Sequence, residues 1–163
     1  MICKIKPSTE FDLPHILELN EAEIPAVNLL NEPEIRNLFS QAEYFHSLWL
    51  NQKVIGFLIA LAPGAIYKSA NYRWFDLRYD QFLYIDRIVI DPIHQGRGYG
   101  RMFYDNLREF AGQQFPKITC EVNLRPKNDG SLRFHRRYGF RQVGTQETEG
   151  GAKQVSLMAY EMS

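Results

Sequence analysis

The sequence predicts an α/β protein with one mixed central sheet of about seven strands flanked by helices. Three observations lead there. Seven short runs are rich in β-branched and aromatic residues, and amphipathic segments of period 3.6 stand between several of them. The order is one strand, two helices, three strands, then helix and strand in alternation. The run FLYIDRIVI (82–90) is apolar enough to be a central strand buried on both faces.

Taken in order, residues 2–6 (ICKIK) alternate apolar and polar and form a short strand closed by Pro7. A helix follows with Asp12 as N-cap, Pro14 in its first turn, and Ile16, Leu17 and Leu19 facing inward. Asn31, Pro33 and Glu34 give the capping-box pattern of a second helix, whose Ile35, Leu38 and Phe39 sit at helical spacing. YFHSLWL (44–50) and VIGFLIALA (54–62), joined by Asn51-Gln52-Lys53, form an antiparallel hairpin. Residues 63–80 read as a long loop carrying Tyr67, Tyr72, Trp74, Phe75 and Tyr79, either a lid over substrate or a cover for an open core edge. Its aromatics are expected to be exposed and to offer a homodimer contact.

Asp91-Pro92 ends the central strand. A helix then runs from about Gly98 to Gln114, with Met102, Phe103, Leu107, Phe110 and Ala111 on one side. Residues 117–124 (KITCEVNL) make another strand. SLRFHRRYG (131–139) makes a short helix stopped by Gly139, and 140–144 and 155–160 the closing strands.

The chain of 163 residues shows no internal repeat or low-complexity linker, so 1–163 is expected to be a single domain. Lys and Arg number 19, as do Asp and Glu, which gives no global charge to hold nucleic acid or an acidic membrane. The charge is uneven. Residues 1–86 carry 7 basic against 11 acidic side chains and residues 87–141 carry 11 against 5, a basic island suited to a small polyanion or, equally, a solvated helix face. Cys3 and Cys120 are too few for a disulfide scaffold, and no apolar run has the length of a signal peptide or a membrane span. A cytoplasmic location is the expectation. No His, Cys, Asp or Glu group shows metal-ligand spacing around His15, His46 or His94.

The most informative stretch is Ile88-Val89-Ile90-Asp91-Pro92-Ile93-His94-Gln95-Gly96-Arg97-Gly98-Tyr99-Gly100-Arg101. A strand, a glycine-rich turn and a helix start aim backbone N–H groups at one point. The positive end of the helix dipole there attracts phosphate. Arg97 and Arg101 bracket the turn with charge. The dinucleotide pattern G-x-G-x-x-G fails from Gly98, where its last position is Phe103, and from Gly96, where it is Arg101. No Gly-Lys-Ser/Thr of a P-loop occurs.

What remains, Gln95-x-x-Gly98-x-Gly100 directly after a strand, resembles the acyl-CoA pyrophosphate motif of the GNAT superfamily of N-acetyltransferases. Asn128-x-x-Ser131-x-x-x-His135-x-x-x-Gly139-Phe140 is similar to the superfamily's later motif, with His135 where Tyr is usual. The resemblance covers about residues 82–140, and the preceding order of elements agrees with it.

The resemblance implies an N-acetyltransferase using acetyl-CoA, with two central strands splayed at their C-terminal ends to admit pantetheine. Main-chain groups of Ile88 and Ile90 would bind the pantetheine amides, and the amides of Gln95, Gly96, Arg97, Gly98, Tyr99, Gly100 and Arg101 the pyrophosphate. Asn128, Ser131 and Phe134 would line the opposite wall. Arg133, Arg136 and Arg137 are candidates for the ribose phosphate or an exposed helix face. The acceptor is a primary amine of a small molecule or protein, attacking directly in a ternary complex. The alternative is a non-catalytic CoA-binding sensor or interaction module of the same fold.

Direct attack needs a neutral amine and a proton for the departing thiolate. Asp86, charged within an apolar strand, is either the base or the partner of Arg87 in a structural ion pair. Tyr84 shares its face and relays the proton, and Glu121 is the alternative carboxylate. His135, with an imidazole of ordinary pKa near 6.5, is the candidate general acid, although it could equally contact CoA or cap its helix. Cys120 reads as a buried strand residue without a nucleophilic role.

Overall fold

The structure is a computed structural model that describes residues 2–162. Seven strands, β1 (Cys3–Pro7), β2 (Tyr44–Leu50), β3 (Lys53–Leu61), β4 (Leu83–Ile90), β5 (Lys117–Arg125), β6 (Arg141–Thr148) and β7 (Lys153–Glu161), form one sheet in the order β1-β2-β3-β4-β5-β7-β6. Five helices accompany them: α1 (Leu13–Ala22), α2 (Glu32–Gln41), α3 (Ala70–Asp76), α4 (Tyr99–Ala111) and α5 (Asp129–Tyr138). The sheet is mixed, since β4 and β5 are parallel while the β1–β2, β2–β3, β5–β7 and β6–β7 pairs are antiparallel. The chain divides into two compact units, Met1–Leu61 with Ile85–Phe110, and Ala62–Tyr84 with Ala111–Ser163.

In the first unit the local signals act largely as the sequence implies. Asn31 accepts the Glu34 N–H at 2.9 Å while the Glu34 carboxylate accepts the Asn31 N–H at 3.0 Å, so α2 opens with the reciprocal cap. At α1 the mechanism differs. Asp12 occupies the N-cap position but spends its carboxylate on the Thr9 N–H at 2.8 Å, closing a 3₁₀ turn that leads into the helix. Ile16, Leu19, Ile35 and Leu38 are buried; Leu17 and Phe39 are only half-buried. The β2–β3 hairpin turns at Asn51 and Gln52, and β3 is buried from Val54 to Leu61. Helix α4 is shorter than expected, and it buries Tyr104 besides Phe103, Leu107 and Ala111 while leaving Phe110 45% exposed.

The second unit holds the main departure from the sequence reading. Residues 63–80 are not a structureless loop: they contain α3, which starts at Ser69, whose Oγ accepts the Tyr72 N–H at 3.2 Å. Tyr72 and Phe75, three residues apart on α3, are 1% and 0% exposed, and Tyr67, Trp74 and Tyr79 are half-buried. The expected exposed aromatic surface for a dimer is therefore absent from this segment; its exposed large apolar residues are Ile66 and Leu77. The β4–β5 ladder consists of Leu83↔Ile118 and Tyr84↔Thr119, and Cys120 to Arg125 of β5 register against β7. No helix among the described residues is long and apolar enough to cross a membrane.

One half-buried histidine sets an expected pH response. His46 on β2 stacks on Tyr44 with centroids 3.8 Å apart and meets Phe110 edge-on, and its Nδ1 is buried without a hydrogen-bond partner. Burial lowers its pKa from 6.5 to about 4. The folded protein thus binds fewer protons than the unfolded chain between those values. The stability this histidine confers is complete above pH 6.5 and is lost as the pH falls toward 4. His46→Phe is expected to shrink the drop in Tm between pH 7 and pH 4.5 by roughly 3 °C; an unchanged drop in a thermal scan refutes the assignment.

Candidate active site

The strand-to-helix turn lies wholly in the first unit. The Asp91 N–H donates to Ile55 O at 2.7 Å, and because main-chain groups alternate sides along a strand, those of Ile88 and Ile90 point away from β3. After β4 a 3₁₀ turn (Pro92–His94) is capped by the Asp91 carboxylate, which accepts the Ile93 N–H at 3.2 Å. Gly96 and Gly98 then adopt φ of +77° and +83°, conformations that L side chains rarely take. No atom lies within 4 Å of where a Cβ would stand at either, so backbone conformation rather than crowding requires glycine. The Met102 N–H donates to Gly98 O at 3.1 Å, so Tyr99, Gly100 and Arg101 make up the first turn of α4.

Gln95, Gly96, Arg97, Gly98 and Arg101 are exposed, and Arg97 Nη1 lies 3.4 Å from His94 Nδ1. An exposed glycine turn at the positive end of a 13-residue helix, with Arg97 and Arg101 in it, has the donors and the charge that a diphosphate requires. Gln95 has a role the sequence did not disclose: its Nε2 donates to Ile90 O at 3.0 Å and to Glu23 Oε1 at 2.8 Å. The Ile90 carbonyl is thus already engaged, whereas Ile88 lies on the same strand edge.

Asp86 belongs to a buried network in this unit. Its carboxylate accepts Arg87 Nε at 2.8 Å, both side chains being under 8% exposed, and Arg87 Nη1 donates to Asn20 Oδ1 and Asn28 O. The pair ties the 20–28 segment to β4. The ion-pair alternative for Asp86 is therefore realised in the geometry.

In the second unit Tyr84 donates its hydroxyl to Glu121, contacting both carboxylate oxygens, Oε2 at 3.0 Å. Tyr84 is 1% exposed and Glu121 is half-buried. The sequence named both residues but joined Tyr84 to Asp86; the fold gives its hydroxyl to Glu121 instead. Thr119, registered against Tyr84, has a buried hydroxyl with no partner among the described residues.

Helix α5 carries the later motif. Asn128 Oδ1 caps it by accepting the Ser131 N–H at 3.1 Å. His135 is 6% exposed and its Nδ1 lies 2.7 Å from Ser131 O, a carbonyl that can only accept, so the Nδ1 carries the proton. Burial holds its pKa below the ordinary value, which corrects the expectation of an imidazole titrating near 6.5. In the neutral ring Nε2 is an acceptor. Phe134, half-buried, meets the His135 ring at 5.2 Å, and Arg133, Arg136 and Arg137 are exposed. Burial raises the Cys120 thiol well above its usual pKa, which agrees with an inert strand residue.

A family model described as "Acetyltransferase (GNAT) family" matches residues 13–140. No curated protein sequence matches the chain. Similar solved structures include the ribosomal-protein-S18-alanine N-acetyltransferase from Escherichia coli, 18% identical over 99% of this chain and 95% of that one with a TM-score of 0.75. Another is Ard1 from Thermoplasma volcanium, 15% identical over 100% and 99% with a TM-score of 0.79. A third, Arabidopsis thaliana NAA60 in complex with acetyl-CoA, is 16% identical over 99% and 100% with a TM-score of 0.78. At these identities the likeness is one of fold.

Proposed function

This chain belongs to the acetyltransferase (GNAT) family, and we propose that it moves the acetyl group of acetyl-CoA to a primary amine by direct attack. The acyl donor of the family is acetyl-CoA; when bound it supplies a thioester carbonyl that the amine attacks, releasing a thiolate that takes up a proton. The observation that carries the reading is the turn from Gln95 to Arg101, with two glycines at positive φ opening a long helix. Its amides hold the diphosphate and Arg97 and Arg101 offset its charge. The main chain of Ile88 takes the pantetheine amides, with Ile90 contributing when Gln95 releases its carbonyl. Asn128, Ser131 and Phe134 remain assigned to the same cofactor, with 1–163 as the acetyltransferase domain.

For proton handling the Tyr84–Glu121 pair is the better supported choice. A proton leaving the amine passes to the phenol oxygen as the phenol's own proton moves to Glu121, so the carboxylate is the base and Tyr84 the relay. Asp86 is assigned to holding Arg87, a buried cation that would otherwise lack this carboxylate. His135 in its neutral form presents an acceptor at Nε2, which supports a part in fixing α5 rather than general-acid catalysis.

The acceptor is an amine of a small molecule or a protein. The names of two similar structures, an alanine N-acetyltransferase of a ribosomal protein and an Arabidopsis thaliana Naa50 in complex with the bisubstrate analogue CoA-Ac-MVNAL, support testing peptides first. Acetyl-CoA is expected to raise Tm in a concentration-dependent way and NAD to leave it unchanged. Thiol release should then appear with some members of a panel of peptides and small amines. Stabilisation by NAD instead of acetyl-CoA refutes the cofactor; acetyl-CoA binding without turnover on any amine refutes the transferase in favour of a binding module.

A further inference from the structure

We propose that α3 is a positioning element, in which Tyr72 and Phe75 hold the Tyr84 ring so that its hydroxyl meets Glu121. The inference rests on the catalytic reading of that pair. It concerns residues of the second unit alone.

Tyr84 is confined by rings. Tyr72 meets it edge-on at 5.5 Å, Phe75 lies tilted against it at 5.9 Å, and Phe82 packs on Tyr72 and Phe75 at 6.1 and 6.4 Å. Tyr72, Phe75, Phe82 and Tyr84 are each no more than 1% exposed. A phenol boxed in this way has one side-chain rotamer available, and its hydroxyl is delivered to a fixed point. Tyr72 is itself tied down: its hydroxyl donates to Ala62 O at 2.6 Å and accepts the Ala65 N–H at 2.9 Å. The Asp76 carboxylate accepts the Gly64 N–H at 3.1 Å, so both ends of α3 are sewn to the segment before it.

The outer side of α3 is set by β6. The Trp74 indole lies on Gly144, where a Cβ would stand 2.6 Å from Cζ2, and only a glycine permits that approach. Asn71 Oδ1 accepts Gln146 Nε2 at 2.9 Å, and the Arg78 guanidinium lies 3.8 Å from the Trp74 ring. A seven-residue helix is not stable alone. Its place is therefore dictated by these contacts, and a shift at Gly144 is transmitted through Trp74 to the rings around Tyr84. Among the titratable groups near the pair, Tyr72 of α3 packs on Tyr84 and feels the Asp76 charge, and the Cys120 thiol of β5 feels that of Glu121; Leu157, registered against Glu121 on β7, carries no charge.

The test uses Gly144→Ala and Tyr72→Phe beside Tyr84→Phe and Glu121→Gln. Gly144→Ala is expected to lower kcat about tenfold, the scale of a small misplacement. Losing the phenol's hydrogen bond to the ionised carboxylate moves the acid limb of the rate profile to higher pH, with KM for acetyl-CoA unchanged. Trp74→Leu in the Gly144→Ala background makes room for the methyl group and should bring kcat back to within about twofold. Tyr72→Phe keeps the ring but frees it from Ala62 and Ala65, giving a smaller loss with the same pH shift.

If Gly144→Ala does not fold, Tyr72→Phe decides on the same readouts. Wild-type kcat and pH profile in both folded variants, while Tyr84→Phe and Glu121→Gln are impaired, overturn the role of α3 and leave the catalytic pair standing. Full activity in Tyr84→Phe and Glu121→Gln overturns the pair, and the inference with it.

Discussion

Glu121→Gln is expected to lower kcat by about 100-fold or more, the range of a lost general base, with KM for acetyl-CoA within about twofold of the original. Glutamine keeps the shape of the side chain and an oxygen for the Tyr84 hydroxyl, so the buried phenol is not left without an acceptor. What disappears is basicity. The deficit should therefore depend on pH: as the medium rises toward the pKa of the amine, the neutral nucleophile exists without help, and the ratio of original to variant rates narrows. A structural lesion would cost the same factor at every pH. Asp86→Asn offers the contrast, because Arg87 would remain buried against a neutral amide. That variant should lose about 3–5 kcal/mol of stability, yet the folded fraction should retain its pH profile. Equal kcat in Glu121→Gln, or a deficit that does not change between pH 7 and pH 10, would remove Glu121 from the chemistry.

The parts of this reading that were legible in the sequence share a physical feature: their signals are local. The capping box at Asn31 and Glu34, the hairpin at Asn51 and Gln52, and the glycines at 96 and 98 each act through bonds and torsions within a few residues. The pairing of Tyr84 was not local. Alternation along β4 placed it on the same face as Asp86, and only the register Tyr84↔Thr119 brings Glu121, two residues further along β5, within reach of its hydroxyl. The lowered pKa of His135 is hidden from the sequence for a related reason. Its chemistry depends on burial and on Ser131 O, and neither is visible in a motif.

The helix within 63–80 is hidden in the sequence for a different reason. The segment's proline, glycine and scattered aromatics suggested a loop, yet Ser69 is an N-cap and Tyr72 and Phe75 stand at helical spacing. Over only seven residues that spacing was outweighed by the turn formers around it, and the helix exists because the rings have a core to enter.

Substitution of Gly98 is expected to strike the cofactor while sparing the fold. At φ +83° a branched side chain is strongly disfavoured, so Gly98→Val should force the turn to rearrange and scatter the amides that face the diphosphate. The space around the position is open, so no packing is lost and Tm without ligand should fall little. The dissociation constant for acetyl-CoA should rise at least tenfold, equivalent to about 1.4 kcal/mol. Two controls separate this cause from a general disturbance. Asparagine tolerates the left-handed region better than other side chains, so Gly98→Asn should be milder than Gly98→Ala, and Gly98→Ala milder than Gly98→Val. Acetyl-pantetheine, which has the thioester and the amides but no diphosphate, should bind the original protein and Gly98→Val alike. Calorimetry or a thermal-shift series with the two donors reads the difference. The same loss on both donors would mean that the substitution acts elsewhere in the site. No loss on acetyl-CoA would mean that the turn does not hold the diphosphate, and the helix start at Tyr99 would then have no part in binding the acyl donor.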